Sequence, residues 1–440
     1  MHKQSEAGTL NDIGHPSPWV CHYTLSLLTI IYALNYLDRN IFSIVLQSIK
    51  QELVLSDTAM GLLGGLVFAA FYATLGIPIA WLADRYNRRN IITIGLSVWS
   101  FMTVLTGMVI NLWQLVVTRF LMGAGEACCN PPANSMVADL YDKDRRGTAV
   151  SILVSGSSIG VFIGYLAGGW LNELYGWRMV YFIAGAPGLI IALLFWLTVK
   201  EPKRGSTEGA GTSLSISSFR ETMAFFIHSK TYLFVVIGGC IMGVHVMGNA
   251  IWYPAFMERV HGLHSGEIGT YLAISRGPIG VLGIFLGGYL TDRLGRHDER
   301  WRVLVPALCC LLIVPAEIVF LFSDTLWIAL SGMIAAGFIG AMYNGPIFAI
   351  VLAVARVRMR AMAIALFLFL GNLVGQTLGP LGIGYVNDIL KPTMGEHAIR
   401  YSLLLGPISG VIGFILIGMA SRYVARDVRN ALQPGSTRKI

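Results

Sequence analysis

Long apolar runs, separated by short polar loops, fill most of this chain. An α-helix needs about 20 apolar residues to cross the hydrocarbon core of a bilayer, and the runs repeatedly reach that length. Hydrophobic residues make up 55% of the 440 residues and charged residues only 13%, whereas about a quarter of a soluble domain is charged. The pattern predicts an all-α membrane protein with twelve transmembrane helices, at residues 19–49, 57–83, 90–110, 112–139, 146–172, 177–199, 230–257, 266–291, 302–322, 325–354, 361–388 and 398–424.

Positive charges are distributed unevenly between the two sides of the predicted membrane. With both termini in the cytoplasm, the inner segments hold most of the Lys and Arg residues, and the outer segments hold only Lys50, Arg178, Arg259, Lys391 and Arg400. Loops rich in Lys and Arg stay on the cytoplasmic side. We therefore expect cytoplasmic termini, and we attribute the net charge of +8 to the cytoplasmic membrane surface and not to nucleic acid binding.

A polar segment at residues 200–229 divides the predicted helices into two groups of six. Its first part is rich in Gly, Ser and Thr, as flexible linkers are. Residues 217–228 are amphipathic, and such a segment can lie on a membrane surface. The sequence therefore predicts an N-terminal six-helix bundle (1–199), a cytoplasmic linker (200–229), a C-terminal six-helix bundle (230–424) and a cytoplasmic tail (425–440).

The two halves of the chain repeat each other at two places. The stretch WLADRYNRR at residues 81–89 matches YLTDRLGRH at 289–297, and the stretch that begins NPPANSM at 130 matches NGPIFAI at 344. Internal duplication accounts for both matches better than chance similarity between apolar segments. Parallel repeats of six helices are related by an axis along the membrane normal. We therefore expect two bundles with pseudo-two-fold symmetry.

The sequence contains no signature of an enzyme. Metal-ligand spacing, a nucleophile elbow and a P-loop are all missing from it. The six cysteines fall within predicted helices, where we interpret them as small packing residues. We therefore expect no catalytic residue, no metal and no cofactor.

Four charged residues lie inside predicted helices 1 and 4, namely Asp38, Arg39, Arg119 and Glu126. With a rise of about 1.5 Å per residue, Asp38 lies about 15 Å below the predicted outer surface, between Arg119 at about 10 Å and Glu126 at about 21 Å. Arg119 and Glu126 are two turns apart, on one face of helix 4. We therefore expect one charged cluster near the midplane, where charges are expensive and mark function.

This cluster could serve two chemical purposes. Desolvation favours the protonated form of a carboxyl group and a neighbouring arginine opposes it, so Asp38 and Glu126 are expected to load and release a proton. Arginine stays charged and binds phosphate or carboxylate through two hydrogen bonds, so Arg119 and Arg39 are expected to hold an anion or to pair with the acids. The alternative is a static network of salt bridges that fixes helix 1 to helix 4.

The C-terminal half has fewer charges at membrane depth. Arg276, about 15 Å into helix 8, is expected to contact an anionic head group or a backbone carbonyl. Glu317, near the outer end of helix 9, is expected at the membrane interface, so proton coupling is expected only in the N-terminal half. Polar and aromatic residues of helices 7 and 10 are candidates for the wall of a cavity, with core packing as the alternative: His245, Asn249, Trp252, Tyr253, Tyr343 and Asn344.

Several motifs resemble those of the major facilitator superfamily: the loop AWLADRYNRR, its second copy GGYLTDRLGRH, and TRFLMGAGEA in helix 4. Together with NYLDR in helix 1 and VKEPKRG after helix 6, they resemble the spinster family of sphingosine-phosphate and lysophospholipid transporters. The likeness covers the whole N-terminal half, whereas the C-terminal half matches mainly at the level of the superfamily. The first loop departs from the superfamily pattern at Ala80 and Asn87, where glycine is usual.

The resemblance implies a monomeric bacterial homologue in the inner membrane, which moves a lysolipid or a sphingosine-phosphate-like lipid by alternating access coupled to protons. Two alternatives stay open: an organic-anion or sugar-acid proton symporter of the same superfamily, and an uncoupled lipid facilitator. The resemblance also implies that the loops after helices 2 and 8 latch the cytoplasmic side, through the gate residues Asp84, Arg85, Arg88, Asp292, Arg293 and Arg296.

Overall fold

In the computed structural model of this protein, the described residues are 17–204, 219–356 and 359–432, and they contain no strand. The described N-terminal half forms α1 (Pro18–Glu52), α2 (Asp57–Gly64), α3 (Leu66–Arg85), α4 (Arg88–Thr106), α5 (Leu112–Ala127), α6 (Asn130–Leu140), α7 (Lys143–Tyr175) and α8 (Trp177–Thr198). The described C-terminal half forms α9 (Phe219–His228), α10 (Lys230–His261), α11 (Ser265–Arg276), α12 (Pro278–Gly295), α13 (Trp301–Phe322), α14 (Leu326–Ala353), α15 (Arg360–Met394), α16 (Ala398–Ser402), α17 (Leu405–Ala420) and α18 (Val424–Leu432).

Within the described residues these helices form twelve rods, six in each half. Three rods are broken, into α2–α3, α5–α6 and α11–α12, and α16 with α17 makes the last rod. Length and hydropathy alone identify eight candidate spans in the described residues, with Ser265–Gly295 and Met362–Ala420 each counted as one stretch. The predicted all-α architecture of two six-helix bundles is confirmed.

α9 lies between the two bundles in sequence, within the segment predicted to be amphipathic. Its Phe226 is buried and stacks on Tyr232 of α10, with ring centroids 4.3 Å apart. The helix is therefore packed onto the C-terminal bundle through an aromatic contact.

Two rods at corresponding positions of the halves are broken at a glycine. Gly65 separates α2 from α3, and Gly277 separates α11 from α12. A Cβ atom on Gly65 would lie 2.1 Å from the carbonyl oxygen of Gln376 in α15, so only glycine lets the backbones of the two halves meet here. A Cβ atom on Gly277 would lie 2.7 Å from the carbonyl oxygen of Ala273.

Close packing of α7 on α1 depends on glycines spaced four residues apart. A Cβ atom on Gly156 would lie 2.5 Å from the carbonyl oxygen of Thr29, and one on Gly160 would lie 2.1 Å from that of Ala33. Small residues at this spacing let two membrane helices approach until their backbones touch. This contact fixes the helix that carries Asp38 and Arg39 within the N-terminal bundle.

The apolar core is arranged differently at the two ends of the molecule. At the predicted outer end, one core joins both halves, with Phe42 and Leu63 from the N-terminal half and Trp252 from the C-terminal half. At the predicted cytoplasmic end each half has a core of its own, one around Trp99 and one around Tyr232. The two bundles are therefore packed together at the outer end.

Polar side chains also join the halves at the predicted outer end. The outer cluster, as we name it, consists of Gln47, Lys50, Asp57, Arg259 and Asn387. Asp57 is fully buried; it accepts hydrogen bonds from Nη1 and Nη2 of Arg259 at 2.9 and 2.7 Å and pairs with Lys50 Nζ at 2.5 Å. Nδ2 of Asn387 donates to the same carboxylate, and Arg259 also donates to Gln47 Oε1.

A second carboxylate at this end caps a helix of the opposite half. Asp388 of α15 accepts hydrogen bonds from the backbone N–H of Asp57 at 3.0 Å and of Thr58 at 2.7 Å, and from the hydroxyl of Thr58 at 2.6 Å. An acidic side chain stabilises a helix N-terminus, where backbone N–H groups lack partners. The start of α2 is therefore held by α15 across the interface between the halves.

Candidate functional site

A cavity of about 380 Å³ lies between the two bundles. α1, α3, α5 and α7 form its wall on the N-terminal side, and α10 to α15 form the opposite wall. The breaks in α2–α3 and α11–α12 border the cavity, through Gly64 and Gly280. The predicted candidates that line the cavity are Arg39, Arg119, His245, Asn249, Tyr253, Arg276 and Asn344.

Arg39 connects the cavity to a buried acid. Its Nε donates to Oε2 of Glu126 at 2.6 Å, with Glu126 fully buried and the Arg39 side chain 20% exposed. The guanidinium also lies 4.9 Å from the ring centroid of Phe68. Glu126 itself does not line the cavity, so Arg39 stands between it and any occupant.

Asp38 points away from the cavity and into the N-terminal bundle. It is 2% exposed and accepts a hydrogen bond from the hydroxyl of Thr103 in α4 at 3.2 Å. It lies close enough to Glu126 and Arg119 to interact with both electrostatically. The four charged residues of α1 and α5 are thus near one another. The two arginines lie on the cavity wall, and the two acids lie behind them.

Arg119 is a buried cation with no ion pair among the described residues. It is 3% exposed, and its guanidinium lies 3.7 Å from the ring centroid of Phe42. Its Nη1 is 3.5 Å from the sulfur of Met122, and its Nε makes no hydrogen bond. The side chain is therefore held by apolar and aromatic contacts, and its charge faces the cavity.

Arg276 occupies the opposite wall, at the last residue of α11 before the break at Gly277. Its guanidinium lies 5.9 Å from the ring centroid of Tyr253, and within the described part of the chain it has no ion pair. Arg119 and Arg276 therefore present two unpaired guanidinium groups to one cavity, from different bundles. Guanidinium groups bind phosphate and carboxylate through paired hydrogen bonds.

The expectation that Glu317 lies at the membrane interface is wrong. The side chain is 1% exposed, lines the cavity and binds Asn249 Nδ2 through Oε1 at 2.6 Å. α10 and α17 close over this face of α13, which distance along the helix does not reveal. The available signal was a single carboxylate inside an apolar run, which by itself indicates a functional position.

Tyr343 and Asn344 are neighbours in α14, but only Asn344 lines the cavity. Tyr343 belongs to the apolar core of the C-terminal half, together with Phe367. Adjacent helical residues point about 100° apart, so one of the two faces the cavity and the other the core.

The residues predicted to gate the cytoplasmic side lie at the ends of α3, α4 and α12. Arg88 is buried and pairs with Asp139 of α6 at 2.5 Å and with Glu201, just after α8, at 2.7 Å. Arg85 stacks on Trp81, 3.8 Å from the ring centroid. The other predicted gate residues are exposed: Asp84, Asp292, Arg293 and Arg296.

The chain is similar to known transporters over nearly its whole length. The Major Facilitator Superfamily model matches residues 28–380. An MFS-type efflux pump of Mycolicibacterium smegmatis is 30% identical over 92% of this chain and 93% of its own. Protein spinster homolog 1 of Rattus norvegicus is 30% identical over 93% of this chain and 83% of its own. A probable galactarate/D-glucarate transporter of Bacillus subtilis is 27% identical over 89% of this chain and 93% of its own.

A solved structure gives the same assignment. The crystal structure of a bacterial homologue of the human lysosomal transporter spinster, inward-facing and unoccupied, superimposes with a TM-score of 0.86 at 29% identity, covering 94% of this chain and 99% of that one. This similarity agrees with bundles that are packed together at the predicted outer end. The protein is an integral membrane transporter and not an enzyme. It belongs to the major facilitator superfamily and, within it, to the spinster family.

Proposed function

We propose that this transporter moves an anionic amphiphile, a lysolipid or a sphingosine-phosphate-like lipid, by proton-coupled alternating access. The observation that carries the proposal is the pair of unpaired arginines, Arg119 and Arg276, on opposite walls of one cavity. A phosphate group held between them would contact both bundles at once. Binding would then be sensitive to the movement of one bundle against the other.

Part of the cavity wall suits an alkyl chain. Its apolar residues are Phe42, Phe68, Val161, Val246, Met247, Ile251, Val281, Ile284, Ile313 and Met333. Polar side chains also line the cavity, among them Asn40, Asn344, Asn372 and Gln376. Ligand sites of this kind combine a mostly apolar wall with a few polar groups that orient the ligand. A head group at the arginines and a chain along the apolar wall would satisfy both parts.

The contact between Arg39 and Glu126 supports proton coupling. An anion that binds Arg39 from the cavity competes with Glu126 for the guanidinium. A buried carboxylate that loses its cation becomes costly in its charged form and takes up a proton. Asp38 interacts electrostatically with Arg119, so an anion that binds Arg119 would likewise favour a proton on Asp38. Anion binding and proton binding therefore favour each other.

We further propose that the protein is a monomer in a bacterial inner membrane, with both termini in the cytoplasm. The distribution of Lys and Arg residues supports this orientation. In that orientation the outer cluster closes the external side, and the predicted cytoplasmic gate residues would close the opposite side in the other state. Alternating access requires such a pair of gates around a fixed central site.

A sugar-acid proton symporter is the second candidate function, and the similarity to the Bacillus subtilis relative favours it. A sugar acid has no apolar part, so it would need hydrogen-bonding groups around its whole length. The apolar residues of the cavity wall, which a sugar acid would leave without a partner, favour the lipid.

The decisive experiment uses purified protein in liposomes with an imposed pH gradient. We expect uptake of radiolabelled lysophosphatidic acid driven by the gradient, and no comparable uptake of D-glucarate. Asp38→Asn should abolish the dependence on the gradient, whereas Asp142→Asn, an exposed aspartate at the start of α7, should leave it unchanged.

Each other outcome has a definite meaning. Gradient-driven uptake of D-glucarate without lipid uptake would identify the sugar acid, and not the lipid, as the substrate. Equal lipid movement in the wild type and in Asp38→Asn, with or without the gradient, would leave an uncoupled facilitator.

A further inference from the structure

We propose that Glu317 and His245 form a second proton-binding site, in the C-terminal half of the transporter. Its contribution to transport rests on the proton coupling proposed above, whereas proton binding itself can be tested without any substrate. The site joins α13 to α10 and lines the cavity on the wall opposite Arg39 and Arg119. Coupling would then involve both bundles and not the N-terminal half alone.

One oxygen of the Glu317 carboxyl group is already surrounded by donors. Tyr253 donates its hydroxyl to Oε1, and Asn249 donates Nδ2 to the same atom at 2.6 Å. Nε2 of His245 lies 3.4 Å from Oε1. All four side chains are buried. These contacts fix the orientation of the carboxyl group and leave Oε1 with no need of a further proton.

The other oxygen has no donor at all. Oε2 of Glu317 makes no hydrogen bond, and neither does Oδ1 of Asn249. Both atoms lie against Gly406 in α17, because a Cβ atom built there would be 3.2 Å from Oε2 and 3.1 Å from Oδ1. A buried acceptor without a donor is unfavourable. This oxygen is therefore the one at which a proton would improve the contacts of the carboxyl group.

A proton on Oε2 would turn this oxygen into a donor. The neutral acid carries an O–H group on the side where Oδ1 of Asn249 also makes no hydrogen bond. A side chain on Gly406 would crowd both oxygens. We therefore assign a proton as the ligand of this site.

Few other charged groups face this carboxyl group. α14 and α17 pack extensively on α13 and contain no Asp, Glu, Lys, Arg or His. α12 also packs on α13, and its Asp292 and Arg293 lie at its exposed cytoplasmic end. From α11, Arg276 acts on Glu317 electrostatically. The charge of Glu317 is therefore balanced by Arg276 and His245, or removed by a proton.

His245 is a second polar group of the site on the cavity wall. Its imidazole lines the cavity, and its Nδ1 makes no hydrogen bond. Glu317 and His245 both line the cavity, so a proton can reach either group from there. Once Glu317 is neutral, its electrostatic attraction for Arg276 is removed, and a substrate anion becomes the main counter-charge for that arginine. Each bundle then combines a wall arginine with an acid, as Arg39 and Glu126 do in the N-terminal half.

The test is infrared difference spectroscopy of the protein in lipid nanodiscs, recorded between alkaline and acidic pH without substrate. Protonated carboxyl groups absorb as C=O stretching bands, so each buried acid that takes up a proton contributes one component. We expect the difference spectrum of Glu317→Gln to lack one C=O stretching component that the spectrum of Asp38→Asn still shows. Glu396→Gln, at an exposed acid on the outer surface, is the matched control and should keep that component. An unchanged component in Glu317→Gln overturns the proposal.

Variants that keep Glu317 provide an independent readout if Glu317→Gln does not fold. His245→Gln and Tyr253→Phe alter two of the contacts to Oε1, so each should shift the pH at which the Glu317 component is half lost. If neither variant shifts that pH, the two residues do not influence proton binding by Glu317, and the proposal is wrong.

The result is separate from that of the transport assay. A Glu317 component in a protein that moves no lipid along a pH gradient would leave the proton site in place and remove the proposed function. Coupled lipid transport in a protein without this component would support the proposed function and remove the proton site.

Discussion

Arg39 and Arg119 reach the same cavity from neighbouring helices, but their electrostatic surroundings differ. Arg39 is paired with Glu126 at 2.6 Å, whereas Arg119 has no ion pair among the described residues and rests on the ring of Phe42. A guanidinium group keeps its charge even when buried. An unpaired buried charge is costly. This cost is acceptable at a site where a substrate anion supplies the missing partner.

Substitution of Arg119 tests this account of the residue. Arg119→Gln should weaken the binding of lysophosphatidic acid to the purified protein by about 10- to 100-fold, the equivalent of losing a charge-assisted hydrogen bond. Arg119→Lys should restore only part of the affinity, because an ammonium group lacks the planar fork that binds phosphate through two bonds. Equilibrium binding by tryptophan fluorescence measures both.

The control for this prediction is Arg145→Gln. Arg145 is exposed near the start of α7, outside the cavity, so its loss should leave the affinity unchanged. Wild-type affinity in Arg119→Gln would show that the anion is held elsewhere.

At the scale of helices, the packing of α7 on α1 and the glycine breaks determine where the charged side chains stand. The breaks at Gly65 and Gly277 occupy corresponding positions in the two halves, and both border the cavity. Interrupted helices at corresponding positions of two repeats mark the central site of transporters. The sequence motifs detect the repeat, but they do not reveal the break at Gly65, since this glycine lies inside an apolar run that looks continuous. Gly277 stands between Arg276 and Pro278, so its break had a signal in the sequence.

Two glycines of α7 allow a matched test of the helix contact. Gly160→Ala should destabilise the protein by about 1–3 kcal/mol, because the added methyl group overpacks the contact with α1. Gly147→Ala makes the same change in the same helix, where a Cβ atom has no neighbour within 4 Å. It should be neutral or stabilising by up to about 1 kcal/mol.

Thermal unfolding in detergent, followed by scanning fluorimetry, compares the two variants with the wild type. Equal melting temperatures for Gly160→Ala and Gly147→Ala would mean that α1 and α7 are not in backbone contact.

At the scale of the whole molecule, the two ends of the interface between the bundles differ. The predicted outer end has a shared apolar core and the outer cluster, whereas the other end has a separate core for each bundle. All five cations predicted on the outer side are in ion pairs there: Lys50, Arg178, Arg259, Lys391 and Arg400. Of these, Lys50 and Arg259 share Asp57, which makes Asp57 the centre of the closed outer side.

Loss of Arg259 should therefore release the outer side. Removing one partner of a buried ion pair costs about 3–5 kcal/mol in the state that buries it. When the outer side opens, water can solvate Asp57, so Arg259→Gln should shift the population towards that state. Spin labels at Val54 and His397, exposed on opposite halves, should show a new, longer distance by double electron–electron resonance.

Arg400→Gln is the control for the outer cluster. Its partner Asp324 is 90% exposed, and both residues belong to the C-terminal half, so the distance distribution should not change. A wild-type distribution in Arg259→Gln would show that the apolar core alone closes this side.

The sequence by itself determined the helical architecture and its two six-helix bundles, and it predicted the depth of Asp38, Arg119 and Glu126. These are local properties, because apolar length decides membrane insertion and position along a helix decides depth. Only the tertiary structure decided which groups meet. It placed Glu317 beside His245, separated Asn344 from Tyr343, and joined Asp57 to Arg259 across the halves. The physical reason is that the rotation of each helix, and the neighbour it faces, result from packing between segments far apart in the chain.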